Sequence, residues 1–234
     1  MTTLHVLSAG AAKGLVLALQ EKFSTEYGAT FDSTFGAVGA IREKFLAGQP
    51  CDLIILTQAI INALAAEQRV RADTVAPLGR VYTGIAVPST QPVPDIEDEA
   101  QLRSALLNSR GIYLPDPERA TAGIHFANVL RALGIDDDVR EYLRPFPNGA
   151  AAMRAMADAG EPDLIGCTQV TEINYTSVVT LAGVLPSKFE LVTTYSAAVV
   201  SNADEPALAQ KFAHVLTGEG STALRVKGGF VLGR

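Results

Sequence analysis

The first half of the chain alternates short apolar runs with amphipathic stretches. Leu4–Leu7 is an apolar run closed by Ser8-Ala9-Gly10, and Leu15, Leu19 and Phe23 then recur at helical spacing over about 11–23. Thr30–Thr34 reads as a second strand and Phe35-Gly36-Ala37-Val38-Gly39 as a turn. Ile41, Phe45 and Leu46 mark the next helix, which stops at Gly48-Gln49-Pro50. Asp52-Leu53-Ile54-Ile55-Leu56 has the near-continuous apolar character of a strand buried on both faces, and Thr57 is placed to cap a helix running to about Ala66. Strand, turn and helix in repetition predict a parallel sheet wrapped by helices.

After Val81–Val87 the pattern changes. Pro88 to Pro94 is rich in Pro, Ser and Thr and reads as a surface loop. A second α/β series follows. Helices are predicted over Asp98–Leu107, Thr121–Leu133 and Ala150–Ala159, and strands over Gly111–Leu114, Val139–Arg144 and Asp163–Thr168. Asn148-Gly149 supplies the turn before the third of those helices. Val192–Ser201 is long, apolar and β-branched, and the helical stretches Pro206–Leu216 and Gly220–Val226 close the chain. Two α/β series predict two lobes, each with its own sheet.

Composition narrows the class. With 234 residues, 48% hydrophobic and 19% charged, the chain has an ordinary globular balance and room for one large domain or two modest lobes. A net charge of −6 argues against a nucleic-acid partner. No window approaches a membrane span of about 18 uninterrupted apolar residues, so no membrane insertion is expected. Cys51 and Cys167 match no metal-binding spacing, and His5, His125 and His214 are the only histidines. Both cysteines therefore read as buried free thiols, and neither a metal nor an organic cofactor is implied. Met1-Thr2-Thr3 runs straight into Leu4 without a basic segment, a long apolar segment or a cleavage site. That start fits a cytoplasmic protein if Met1 is native, or a periplasmic one whose export signal has been removed.

Three loops share one chemical character where a strand hands over to a helix: Ser8-Ala9-Gly10, Gly36-Ala37-Val38-Gly39-Ala40 and Ala120-Thr121-Ala122-Gly123. Helix starts at the carboxyl edge of a parallel sheet present unpaired N–H groups and a positive dipole end, and small side chains let an anion approach them. Thr57 and Thr168, with Gln169 beside it, add polar groups at equivalent strand ends. The plainer reading is that these are ordinary capped turns, since Ser, Thr and Gly are preferred there anyway. No glycine-rich nucleotide fingerprint is present.

Leu4–Gly10, Phe35–Gly39 and Cys51–Leu56 resemble the opening of molybdate-type periplasmic solute-binding proteins. So do Asp116-Pro117 with Thr121–Phe126, then Gly166-Cys167-Thr168-Gln169, and the tail Lys227-Gly228-Gly229-Phe230. The resemblance implies the two-lobed class II periplasmic-binding-protein fold: each lobe a mainly parallel sheet flanked by helices, two crossover strands, and a small anionic ligand clamped in the interlobe cleft. Crossings near Val81–Val87 and Val192–Val200 would give a discontinuous lobe one, residues 1–83 and 194–234, and a lobe two of residues 84–193. It further implies a monomer that serves an ABC transporter permease if exported.

The departures from that pattern matter as well. Ser8 fits the first hydroxyl donor of the family's molybdate binders, but Ala37 and Val38 stand where a second serine belongs, and the lobe-two tyrosine has no counterpart near Thr168-Gln169. A carboxylate held by backbone N–H groups and by Arg119, Lys13 or Arg42 is then as good a ligand as an oxyanion. The resembling group has a divergent branch that includes aconitate isomerase. On that alternative the chain is a cofactor-free isomerase of a small unsaturated carboxylate, with Lys13 and His125 as the acid–base candidates and Glu172 a few residues beyond Thr168. Each has a plainer reading: Lys13, Arg42 and Arg119 as solvated charges, His125 as a packing residue beside Phe126.

Overall fold

The computed structural model describes residues 2–233. Met1 and Arg234, the outermost residues of lobe one as read from the sequence, lie outside the described residues.

The chain opens with β1 (Thr2–Ala9), a short 3-10 turn, α1 (Lys13–Tyr27), β2 (Ala29–Gly36), α2 (Val38–Leu46), β3 (Leu53–Thr57) and α3 (Gln58–Ala66). It continues through β4 (Ala76–Pro88), α4 (Glu99–Leu107), β5 (Gly111–Pro115), α5 (Thr121–Ala132), β6 (Leu143–Phe146), α6 (Gly149–Asp158), β7 (Leu164–Gln169), α7 (Val170–Tyr175) and β8 (Val179–Val184). β9 (Val192–Val199), α8 (Pro206–Thr217) and α9 (Thr222–Gly228) complete it. The contacts divide the chain into two compact units. Unit one holds the residues up to Val81 and those from Thr193 onward, and unit two holds Tyr82–Val192. The chain therefore leaves unit one inside β4 and returns at the start of β9.

In unit one, β1 lies between β2 and β3, parallel to both, and β9 pairs antiparallel with β3. Leu53, Ile54, Ile55 and Leu56 are fully buried, as a strand covered on both faces requires. Phe23 of α1 and Phe31 of β2 pack edge-on against Phe212 of α8, with ring centroids 4.9 and 4.8 Å away, so the returning segment completes this core. The buried Asp52 carboxylate joins the same pieces, accepting from the His5 N–H at 2.8 Å and the Glu205 N–H at 3.0 Å. Arg225 donates to the Leu78 and Gly218 carbonyls, both at 3.0 Å. The Lys227–Phe230 tail is a helix stop: Gly229 adopts φ 103° at the end of α9 and Phe230 turns into the core.

In unit two, β7 pairs parallel with β5 and antiparallel with β4. β6 extends the sheet beyond β5, and β8 extends it beyond β4. Alternation along β7 sorts its two faces. Ile165 and Cys167 join the cluster around Phe126 and Leu130 of α5, whereas Leu164 joins Met153 and Met156 of α6.

Several boundaries differ from the sequence reading, each for a local reason. β2 runs through Gly36, and Ala37 alone links it to α2, so residues 35–39 form no turn. Residues 140–142 make a 3-10 turn, and β6 starts only at Leu143. Thr57 has the extended backbone of a cap (φ −64°, ψ 146°), but its side chain makes no cap bond. Cys167 is fully buried and Cys51 only partly so; both thiols are free. No helix among the described residues is long and apolar enough to cross a membrane.

Candidate functional site

Strand register brings the loops singled out in the sequence together within each unit. In unit one Ala9 pairs with Gly36 and Ser8 with Ile55, so Ser8-Ala9-Gly10, Gly36-Ala37-Val38 and Thr57 stand at one carboxyl edge of three neighbouring strands. No side chain caps the helical turns that follow Ala9, Ala37 or Thr57. Each helix start has N–H groups without an intrahelical acceptor, and their partial positive charge suits an anion. A methyl group added at Gly36 would meet only the Ile41 side chain, at 3.3 Å, so packing does not demand glycine there. Ser8 is fully buried and its hydroxyl donates to the Ala9 carbonyl at 3.0 Å. Lys13 begins α1 with its ammonium 5.8 Å from the centre of the Phe35 ring, and Arg42 is exposed on α2.

In unit two, β5 and β7 are parallel neighbours, which sets Ala120-Thr121-Ala122-Gly123 and Thr168-Gln169 at one edge. Asp116 accepts from the backbone N–H groups of Glu118 and Arg119, fixing the loop before α5, while the Arg119 side chain is exposed. α5 starts at Ala120 without a side-chain cap. Gly123 has a packing role: a side chain there would strike the carbonyl oxygens of Pro115 and Asp116, so only glycine lets α5 start this close to the end of β5. His125, one turn into α5, donates from Nε2 to the Phe189 carbonyl at 2.7 Å, which leaves only Nδ1 for acid–base work.

The start of α6 is built differently, and the sequence reading did not single it out. Asn148 accepts from the Ala151 N–H at 2.9 Å. Glu172, 6% exposed, accepts from the Thr168 hydroxyl at 2.6 Å and from the backbone N–H groups of Gly149, Ala150 and Gln169. Burial raises the pKa of the Glu172 carboxyl above the usual range, and these donors hold the rise back. Gly149 is obligatory, because a methyl group there would collide with the Thr168 hydroxyl and the Glu172 carboxylate. The Asn148-Gly149 pair was the available sequence signal, but the fit of Glu172 to it spans 23 residues and needed the fold.

At the end of β7 the Gln169 side chain, 2% exposed, has no partner for either Oε1 or Nε2. Its cross-strand partner Thr83 on β4, 1% exposed, has an unpartnered hydroxyl, as does Thr171 on the first turn of α7. Thr83 also escaped the sequence reading. Among the described residues, no group of three or more His, Cys, Asp or Glu side chains could hold a metal ion.

Known proteins share this architecture. The periplasmic molybdate-binding protein of Azotobacter vinelandii matches with a TM-score of 0.79 at 18% identity, covering 99% of this chain and 100% of that one. The sulfate-binding protein SubI of Mycobacterium tuberculosis matches with a TM-score of 0.73 at 16% identity, covering 98% of this chain and 86% of that one. An aconitate isomerase from a Pseudomonas species is 24% identical over 216 residues, which are 90% of this chain and 80% of that protein. The structural matches establish the two-lobed periplasmic-binding-protein fold. The family model for bacterial extracellular solute-binding proteins matches residues 4–231, nearly the whole sequence, and the chain belongs to that family.

Proposed function

We propose that this solute-binding protein takes a small anion, an oxyanion or a carboxylate, through helix starts at the carboxyl edges of its parallel strands. The observation that carries the reading is the uncapped set after β1, β2 and β3, where Ala9, Ala37 and Thr57 leave the helical N–H groups open side by side. A capping side chain is the ordinary solution at such a position, and α4 shows it in full: Asp98 and Gln101 form a reciprocal capping box. Leaving several neighbouring starts open at one edge suits a ligand that brings its own negative charge. In this reading Ser8, Ala9, Gly10, Gly36, Ala37, Val38 and Thr57 contact ligand from unit one. Thr121, Ala122, Gly123, Thr168, Gln169 and Arg119 do so from unit two. The protein acts as a monomer outside the cytoplasmic membrane and hands its solute to an ABC transporter permease.

The similarity to an aconitate isomerase supports a second reading, a cofactor-free isomerase acting on an unsaturated carboxylate with Lys13 and His125 as acid–base groups. The two readings separate in one experiment: proton NMR of the protein in D₂O with carboxylates including trans-aconitate, repeated with added molybdate. Ligand resonances that broaden without turnover, and are restored by molybdate, are the result expected for the binding protein. Loss of vinyl or methylene signals through deuterium uptake at substoichiometric protein would replace that reading with the isomerase.

A further inference from the structure

Buried polar atoms in folded proteins are almost always hydrogen-bonded, so a carboxamide buried with both ends unpaired requires a physical reason. Gln169 is such a group, and it does not stand alone. Thr83 lies directly opposite it in the antiparallel β4–β7 pair. The backbone of Thr83 bonds elsewhere, its N–H donating to the Leu191 carbonyl and its carbonyl accepting from Leu185. Thr83 and Gln169 therefore form a non-hydrogen-bonded pair, the arrangement that brings opposed side chains closest on one face. Even so, neither Gln169 Oε1 nor Gln169 Nε2 is paired, and Thr83 Oγ1 is also without a partner. Alternation along the strands places both residues on the same face as Cys167 and Ile85, the face covered by α5. Gln169 stands at the carboxyl end of β7, which lies between β4, carrying Thr83, and β5, the strand that feeds α5.

A tetrahedral oxyanion without a proton is a poor match to this pair. It can only accept, so it would satisfy Gln169 Nε2 and a threonine hydroxyl while leaving Oε1 without a donor. A group that donates as well as accepts meets every requirement: a ligand hydroxyl gives its proton to Gln169 Oε1 and accepts from the Thr83 hydroxyl, and an adjoining carboxylate oxygen accepts from Nε2.

We propose that Gln169 and Thr83 are specificity residues that select small hydroxycarboxylates over bare oxyanions and over the corresponding acids lacking the hydroxyl. This rests on the reading of the chain as an anion-binding solute receptor and deepens it by assigning the ligand class.

Isothermal titration calorimetry on the full chain tests it with matched pairs, L-malate against succinate and citrate against tricarballylate, and with sulfate as the bare oxyanion. In at least one pair the hydroxylated acid is expected to bind about tenfold tighter or more, with sulfate weaker than that acid. Gln169→Met and Thr83→Val, checked for folding by circular dichroism, should each reduce the ratio within that pair to about twofold or less. The two variants are independent arms, so one that does not fold leaves the other, and the wild-type ratio is a test in its own right. Equal affinities in both pairs, a ratio that a folded variant leaves intact, or sulfate binding above every acid overturns the inference and leaves the anion reading standing. Failure of all these acids and of sulfate to bind the folded wild-type protein overturns the anion reading and this inference with it.

Discussion

Gly36 in unit one and Gly149 in unit two each sit where a strand of a parallel sheet gives way to a helix, yet their surroundings are opposite. Around Gly36 there is room for a methyl group, with the Ile41 side chain at 3.3 Å as its nearest neighbour, and no side chain caps α2. Around Gly149 there is none, because the Glu172 carboxylate and the Thr168 hydroxyl lie against its Cα and the helix start is closed by Asn148 and Glu172. The negative charge that an open helix start draws from outside is supplied at α6 by the protein itself. Glycine at the two positions thus answers different demands: at Gly149 it seats an internal carboxylate, and at Gly36 packing imposes no such need.

The sharpest way to break this comparison is to add the methyl group at both places. Gly149→Ala should cost about 3 kcal/mol in urea unfolding, because a close-packed polar network must be pushed apart. Gly36→Ala should cost about 1 kcal/mol or less, since only the flexible end of Ile41 has to give. Equal costs would show that the two helix starts are built alike. Combining Gly149→Ala with Glu172→Ala sharpens the point. Removing the carboxylate relieves part of the collision, the Thr168 hydroxyl remaining, so the double variant should cost less than the sum of the two single penalties, as for residues in direct contact.

A pH series comes next in size. Burial raises the folded-state pKa of Glu172, so the folded protein holds that proton more tightly than the unfolded chain does. The stabilisation from this linkage is complete below the ordinary glutamate value and is lost as pH rises through the raised folded value. Wild type should therefore lose stability relative to Glu172→Gln as pH climbs from about 4 through that interval. Parallel stability curves for the two proteins would show that the carboxyl does not titrate abnormally.

What the sequence made legible was whatever depends on neighbours along the chain. The Leu53–Leu56 run declares a strand covered on both faces, and the small residues at Ser8-Ala9-Gly10 and Gly36-Ala37 declare helix starts without bulky caps. The ordered series of short motifs from Leu4 to Phe230 declares the family. What remained hidden depends on register between distant segments. Thr83 and Gln169 become partners only once β4 and β7 are paired, and Glu172 reaches Gly149 only once α7 packs beside α6. β8 escaped because all of its residues but the last are half-buried, and Val184 is exposed, so no alternation marks it. Gly123 was legible as a small residue but not in its purpose, which is to clear two backbone carbonyls.

The smallest effect uses the two cysteines as reporters, one in each unit. Cys51 lies before β3 in unit one, and burial pushes its thiol up to about 12; Cys167 lies inside β7 in unit two, where full burial drives its thiol up as well. At pH 8 a thiol with a pKa near that of Cys51 is ionised in only about one molecule in ten thousand, so neither cysteine should react with an aromatic disulfide reagent in the folded protein. Labelling then requires local opening, and its rate reports on the unit that opens. With Cys51→Ser and Cys167→Ser variants isolating each thiol, Gly149→Ala should speed labelling of Cys167 severalfold and leave Cys51 nearly unchanged. Equal acceleration of both would mean that the units open together, and the α6 network would then stabilise the whole chain rather than unit two alone.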